Sequence, residues 1–204
     1  MLFDDTYKTV KTTSEGTFRD KGSKFIAYIF PLQNESEVKV MLTSLRAEHP
    51  KANHYCWAFR LTPDQSVFRL SDDGEPSGTA GRPILNTLLS YDLTNVLVVV
   101  VRYFGGTLLG VPGLINAYKK ATVEAISSAK VVEVSISSAY EIRFGHAQMN
   151  EVMKIIKDEN LKIMEQASDT ICLIKLEIRQ SGQERIIGRF KKISTINLKF
   201  INTL

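Results

Sequence analysis

The residues best suited to chemistry lie in one polar segment, residues 71–82, which reads SDDGEPSGTAGR. Its three glycines allow the backbone to turn N–H groups toward a bound anion. Ser77, Thr79 and Arg82 add hydrogen-bond donors suited to phosphate. We expect a loop here, followed by a helix that begins at Pro83 and brings partial positive charge to the same place.

Three carboxylates leave the role of this segment open. Asp72, Asp73 and Glu75 would repel phosphate unless a cation intervenes, or unless they cap turns and pair with Arg82 or Arg102. The segment therefore binds a phosphorylated partner, holds Mg²⁺ for phosphoryl chemistry through oxygen ligands, or is a structural loop in which the acids form turns. It is not a Walker loop, because the chain contains no GxxxxGK[ST] sequence.

A second glycine-rich loop is predicted at residues 102–113, between a buried strand and a helix. Loops at the carboxyl end of a strand often form binding sites. Gly105 and Gly106 make this loop pliable, and Tyr103 or Phe104 could stack on a base. Aromatic residues beside a core strand are more often part of the core, and we favour that interpretation for both.

His54 is the one histidine that we consider as a general base. We expect no dyad with Cys56, because the strand predicted at residues 53–61 would turn the two side chains to opposite faces. With three histidines in the chain, a histidine metal cluster is not expected either. The sequences GxSxG and HExxH are also absent.

Hydrophobic periodicity predicts the elements that hold these loops. In the first half we expect strands at 24–30, 53–61, 67–70 and 95–102, and helices at 35–48, 84–91 and 114–130. The second half predicts strand, helix, strand, strand, helix, strand at 140–144, 147–160, 162–167, 170–179, 183–191 and 196–200. This βαββαβ order is that of a ferredoxin-like unit, with a serine-rich join at residues 134–139.

Composition indicates an ordinary globular chain of 204 residues, 44% hydrophobic and 24% charged. The longest aliphatic run, residues 96–101, is too short to span a bilayer, and Met1–Asp5 lack the features of a signal peptide. Cys56 and Cys172 are far apart in sequence, so we expect buried small hydrophobes rather than a zinc site. These features favour a cytoplasmic protein that does not bind membranes.

The net charge of +4 is uneven, since residues 179–199 contain six cations against one acid, Glu184. Such a segment can attract a phosphate backbone, or it can be a solvated helix face. Its candidate basic face consists of Arg185, Arg189, Lys191 and Lys192.

Several long strings resemble the IMPACT/YigZ family over about residues 16–130. They are KGSKFIA (21–27), HPKANHYCWAFR (49–60), SDDGEPSGTAGRPIL (71–85), NVLVVVVRYFGG (95–106) and LGVPGLINAY (109–118). The resemblance implies an α+β protein with a ribosomal protein S5 domain 2-like domain at residues 1–134. It also implies a ferredoxin-like domain at 135–204, similar to the carboxyl-terminal domain of elongation factor G.

The resemblance further implies a role linked to translation, with RNA or the ribosome as partner. Eukaryotic relatives regulate a translation-initiation kinase by competing for its activator, which implies a protein partner instead. Where relatives commonly read GGIKLGxGGLVRAY, two basic positions are neutral here, at Leu108 and Asn116, while Lys119 and Lys120 lie one turn further on. This departure moves the expected footprint toward Arg82, Arg102 and the carboxyl-terminal basic segment.

The leading hypothesis is a non-enzymatic binding protein that contacts RNA or the ribosome, without a cofactor and without preference for DNA. Besides the basic face, its predicted binding residues are Ser77, Gly78, Thr79, Gly81, Arg82, Arg102, Gly105 and Gly106. One alternative is a Mg²⁺-dependent enzyme on a phosphorylated or nucleotide substrate, which uses Asp72, Asp73 and Glu75, with His54 as base. It requires the carboxylates to converge. A protein-interaction module is a further alternative, and it would expose an apolar patch.

Overall fold

A computed structural model describes residues 5–203. The chain divides into two compact units: Tyr7–Val134 is the first unit, and the second unit consists of the chain from Ser135 onward with Asp5 and Thr6. Both contain helices and strands, so the protein is of mixed α and β structure. No helix in this part of the chain is long and apolar enough to cross a membrane.

The first unit is built on an antiparallel sheet of strand order β2-β3-β6-β4-β5, and β1 pairs with β7. Its elements are β1 (Thr6–Val10), β2 (Ser14–Asp20), β3 (Ser23–Pro31), α1 (Ser36–Glu48), β4 (His54–Leu61), β5 (Val67–Ser71), α2 (Gly81–Ser90), β6 (Val96–Tyr103), α3 (Gly110–Ser128) and β7 (Val131–Ser135).

Strand β6 lies at the centre of this sheet, which explains its run of aliphatic residues. Its valines at 96, 98 and 100 pack into a core with α2 and α3, and its residues at 97, 99 and 101 pack into another core with α1. Because both faces are covered along residues 96–101, none of these six positions favours a polar side chain. The predicted buried strand is confirmed, and its end delivers Arg102 to the site described below.

Some boundaries differ from the predictions. Helix α2 begins at Gly81, so Pro83 is its third residue, and α3 begins at Gly110, four residues before the predicted start. The predicted join at 134–139 is mostly strand, because β7 runs to Ser135 and β8 starts at Ser137. Strands β1, β2 and β7 lack the apolar runs that predicted the others, and most of their residues are half-buried or exposed.

The second unit has the predicted βαββαβ order. Its elements are β8 (Ser137–Phe144), α4 (Met149–Asp158), β9 (Lys162–Ser168), β10 (Cys172–Arg179), α5 (Gln183–Phe190) and β11 (Asn197–Thr203). The strands form an antiparallel sheet of order β11-β8-β10-β9. Residues of β8, β10, α4 and α5 form one apolar core that includes Cys172.

Candidate functional site

The carboxylate of Asp72 accepts hydrogen bonds from backbone N–H groups of its own loop, which lies between β5 and α2. Asp72 Oδ2 accepts a hydrogen bond from the Gly78 N–H at 2.8 Å, and Oδ1 accepts from Ala80 and Gly81 at 3.1 and 2.8 Å. These N–H groups belong to the predicted anion nest. They are satisfied from within the chain, and Asp72 also places negative charge at the start of α2, where the helix dipole favours it.

Replacing Asp72 with alanine is expected to destabilise the first unit by about 2–3 kcal/mol. The hydrogen bonds to a charged acceptor are lost, and the backbone N–H groups that donated them are left without a partner. The measure is the urea midpoint followed by fluorescence of Trp57, the only tryptophan. Asp72→Asn keeps one acceptor oxygen and should lose less. Alanine at the exposed Asp169 is the control, and equal midpoints for Asp72→Ala and wild type would contradict this role.

Asp73 holds the loop to the neighbouring strand and helix. Its Oδ2 accepts from the Tyr55 N–H at 2.7 Å, and Oδ1 lies 3.3 Å from Arg46 Nη2. Its carbonyl oxygen lies 2.9 Å from His54 Nδ1. Since a carbonyl only accepts, Nδ1 carries the proton in this hydrogen bond.

Glu75 is the centre of a buried polar cluster, which we call the Glu75 cluster. Its Oε1 lies 2.5 Å from Arg102 Nη1, accepts a hydrogen bond from the Tyr118 hydroxyl at 2.7 Å, and lies 4.0 Å from His54 Nε2. Burial raises the pKa of Tyr118, so the phenol keeps the proton that it donates. Tyr118 was not among the predicted site residues, and nothing in the sequence connected it with Glu75.

The carboxylates do not form a metal site. Asp72, Asp73 and Glu75 each bind different partners, as described above. Within residues 5–203 no group of three or more His, Cys, Asp or Glu side chains is placed to hold a metal ion. The convergence that the Mg²⁺-dependent enzyme requires is therefore not found.

The prediction that Cys56 and His54 point to opposite faces of their strand was wrong. The prediction that they form no dyad agrees with the contacts of Cys56. Cys56 lies two residues from His54 in β4, so both side chains are on the same face of the sheet. The Cys56 Sγ lies 3.0 Å from the Asp72 carbonyl and 3.2 Å from the Tyr118 hydroxyl, rather than on the imidazole. Burial raises the pKa of Cys56, which disfavours a thiolate. Cys56 and Cys172 are buried free thiols, as expected.

Arg102 is buried rather than available to RNA phosphates, which corrects its predicted role. Its guanidinium lies 5.3 Å from the ring centroid of Phe25 and 5.4 Å from that of Phe104. Its Nε is the one buried side-chain nitrogen or oxygen that lacks a hydrogen-bond partner in the described part of the chain. Phe104 is 44% exposed, so the core assignment was wrong for this residue.

A cavity of about 410 Å³ opens beside Arg102, and we call it the Phe104 cavity. Polar groups from Asn53, His54, Glu75 and Arg102 line it together with Pro76, Phe104, Leu108, Leu109, Gly110, Val111 and Leu114. Gly110 and Val111 of this lining belong to the first turn of α3, which starts earlier than predicted. Residues from both predicted loops therefore meet at one cavity.

The glycines and small polar residues predicted to bind a partner divide into two groups. Thr79 and Gly81 are buried, and the Thr79 hydroxyl donates to the Pro76 carbonyl at 2.6 Å. At Gly105 a Cβ atom would lie 2.0 Å from the Gly22 carbonyl carbon, so this glycine is needed for packing. Gly105 is nevertheless exposed, as are Ser77, Gly78 and Gly106.

Arg82 lies in a second depression of about 300 Å³, which we call the α2–α3 groove. Its lining includes Gly78, Asn86, Ser90 and Lys119, and none of the lining residues is acidic. Both cations are exposed, and neither takes part in an ion pair found within residues 5–203. Lys119 is therefore the second cation of this groove. From the sequence it was noted only as a lysine one turn beyond two basic positions that are neutral here.

The predicted basic face of the second unit is partly neutralised. Arg185 and Arg189 both lie 2.6 Å from Glu159 Oε1, and Arg189 also binds Asp158 at 2.7 Å. Lys191 and Lys192 are exposed. Two of the four cations are thus engaged by acids of α4 and the residue that follows it, which weakens the face as a phosphate-binding surface.

The fold and the site define a mixed α and β protein whose loops surround a neutralised polar cluster, an adjoining cavity and a basic groove. The chain belongs to the IMPACT family, since residues 21–126 match the sequence model of the Impact N-terminal domain. It is 33% identical to an IMPACT family member of Haemophilus influenzae over 151 residues, which cover 72% of each chain.

Two further proteins are similar over most of the chain. IMPACT family member YigZ of Escherichia coli is 31% identical over 160 residues, which cover 78% of each chain. A crystal structure described as that of a hypothetical protein is 26% identical, with a TM-score of 0.70 over 97% of this chain and 98% of that chain. The predicted family is confirmed.

Proposed function

We propose that this protein is a translation-linked binding protein that contacts single-stranded RNA, on the ribosome or free, through the α2–α3 groove. One observation carries the proposal. The groove presents Arg82 and Lys119 to solvent, with polar side chains beside them and no acid in its lining. Such a surface attracts a phosphate backbone without competition from its own carboxylates. The link with translation rests on the family resemblance.

The test compares charge-matched variants. Arg82→Ala/Lys119→Ala removes the groove cations, while Lys39→Ala/Arg69→Ala removes two exposed cations from another surface depression, which contains Glu35. RNA affinity is measured by fluorescence anisotropy at several salt concentrations, and ribosome binding by co-sedimentation. Only the groove variant should lose affinity, and its slope of log K against log salt should fall in magnitude by about 0.7 for each lost phosphate contact.

Equal affinities for the two double variants would contradict the groove assignment. Binding that is unchanged at about 0.5 M salt would contradict a phosphate contact altogether.

A second candidate function, the protein-interaction module, is favoured by Leu108, which is 82% exposed beside Val111 at 52%. Salt-insensitive co-sedimentation that survives loss of Arg82 and Lys119 would favour this second function.

The finer fold assignments are also proposals. We propose that the first unit is of the S5 domain 2-like type, supported by its antiparallel sheet with helices on both faces. We propose that the second unit resembles the carboxyl-terminal domain of elongation factor G, supported by its βαββαβ order and its strand order β11-β8-β10-β9. We also propose a domain boundary between residues 134 and 135, supported by the division of the chain there, although Asp5 and Thr6 belong to the second unit rather than to the first.

A further inference from the structure

Strand β5 forms one edge of the sheet in the first unit, and within residues 5–203 it pairs with β4 alone. In an antiparallel pair, a residue either exchanges both backbone hydrogen bonds with its partner or directs both groups away from it. Tyr55 donates its N–H to Asp73, on the β5 side of β4, so the odd-numbered residues of β4 face β5. Their partners on β5 are Val67, Arg69 and Ser71.

Phe68 and Leu70 therefore direct their backbone N–H and C=O groups away from the sheet. Within residues 5–203, no backbone hydrogen bond from another element or loop reaches either residue. Phe68 is 52% exposed, its neighbours Val67 and Arg69 are also exposed, and Leu70 is half-buried. Unpaired backbone groups at every second residue of an edge strand are a template for a further strand.

The surface depression that contains Glu35 adjoins this edge, and we call it the α1–β5 groove. It has a volume of about 400 Å³, and its floor includes Trp57, Phe59 and Arg69. Paired residues of antiparallel strands share a face, so Arg69 and Ser71 lie on the α1 side of the sheet with their partners Phe59 and Trp57. Because the Ser71 side chain is small, a side chain from beyond the edge can reach the half-buried Trp57 over it.

The α1–β5 groove carries more positive than negative charge. Its lining includes the cations Lys39, Arg46 and Arg69, with Glu35 as the one acid. Glu35 lies 2.5 Å from Arg69, and Arg46 lies 3.3 Å from Asp73 beside the groove. The pair with Glu35 is exposed on both sides, so it is weak, and a carboxylate from a partner can replace Glu35 at little cost.

The same charge argues against a second copy of this chain at the edge. In the antiparallel register that pairs all five residues of β5 with themselves, Arg69 would lie opposite Arg69 of the other copy. Like charges directly opposite each other are destabilising, and charged residues on edge strands prevent such pairing. An acid at that position would instead be attracted. The edge is therefore suited to a different chain, one that carries negative charge.

We propose that β5 binds an extended acidic segment of another protein as an added antiparallel strand. The backbone of that segment pairs with Phe68 and Leu70. An apolar side chain opposite Ser71 contacts Trp57, and an acid opposite Arg69 pairs with it, so the apolar residue precedes the acid by two positions. The proposal goes beyond the RNA contact and does not depend on it, since the α1–β5 and α2–α3 grooves share no lining residue.

The test begins with selection of octapeptides from a random displayed library on the wild-type protein. Enriched peptides are then synthesised, and their affinities are measured by fluorescence anisotropy. Phe68→Pro removes an outward N–H, a change that edge strands tolerate, while Phe68→Ala removes the same side chain and keeps the N–H. Arg69→Glu reverses the charge that the acid would meet. Urea midpoints check that each variant is folded.

We expect enrichment of peptides in which an apolar residue precedes an acid by two positions. Phe68→Pro should bind them about fivefold more weakly or worse, and Phe68→Ala should lose less. Arg69→Glu should prefer the same peptide with lysine in place of the acid. Lys39→Ala/Arg69→Ala should lose peptide affinity while Arg82→Ala/Lys119→Ala keeps it, the reverse of the result expected for RNA, so the two proposals can fail separately.

Two results would overturn the peptide proposal directly: enrichment of no peptide, or equal affinity of wild type and folded Phe68→Pro. If Phe68→Pro does not fold, an Arg69→Glu variant with an unchanged preference for the acid would overturn it instead. A wild-type dimer in sedimentation that Arg69→Glu or Phe68→Pro converts to a monomer would identify a second copy as the occupant, and this too would overturn the proposal.

Discussion

Replacement of Glu75 with alanine is expected to destabilise the first unit by about 3–5 kcal/mol, the cost of breaking a buried ion pair from one side. The side chains of Glu75 and Arg102 are 3% and 6% exposed, so the remaining guanidinium would be a buried charge without a counterion. The Tyr118 hydroxyl would lose its acceptor at the same time. The measurement is urea unfolding followed by Trp57 fluorescence.

Two companion variants make this prediction specific to the buried pair. Glu75→Leu/Arg102→Leu removes both charges and should recover much of the lost stability, because an apolar pair carries no desolvation cost. Glu35→Ala breaks a pair with Arg69 whose side chains are 43% and 65% exposed, and it should cost less than about 1 kcal/mol. A Glu75→Ala loss as small as that of Glu35→Ala would show that the buried pair does not stabilise the fold.

Replacement of Gly105 with alanine is expected to cost about 3 kcal/mol or more, because the added methyl group meets backbone that cannot rotate away. The new Cβ would lie 2.0 Å from the Gly22 carbonyl carbon and 2.2 Å from the Ser23 nitrogen. The loop after β6 would then separate from the start of β3, which is tied to it by the Gly105 N–H bond to Ser23 Oγ at 3.1 Å. The measurement is again the urea midpoint.

Two other glycines, Gly106 and Gly188, supply graded controls for this steric effect. Gly106 has φ of +86° and no atom within 4 Å of an added Cβ, so Gly106→Ala should cost only the left-handed strain of about 1 kcal/mol. Gly188, in α5, also has free space and no positive φ, so alanine there should be neutral or stabilising by up to about 1 kcal/mol. If Gly105→Ala and Gly106→Ala cost the same, steric contact is not the cause.

Glu75 and Arg102 illustrate how a residue type can be recognised while its role is misjudged. The pairing of loop acids with Arg102 was one of the interpretations left open by the sequence, and the structure selects it for Glu75. Arg102 is the last residue but one of β6, a strand buried on both faces, and the environment of a side chain at the end of such a strand depends on what packs there. Phe25 and Phe104 enclose it, and that arrangement requires the tertiary fold.

The sequence by itself determined the family, the main strands and helices of both units and the two loops that meet at the site. These follow from local signals: period-two and helical spacing, glycine and proline positions, and the long strings shared with relatives. Only the tertiary structure decided which polar groups are free. Asp72 accepts hydrogen bonds from the backbone N–H groups that were expected to bind an anion. Glu75 neutralises Arg102, and Glu159 pairs with Arg185. Arg82 and Lys119 remain exposed. Charge compensation depends on distances between residues far apart in the chain, and sequence spacing does not encode those distances.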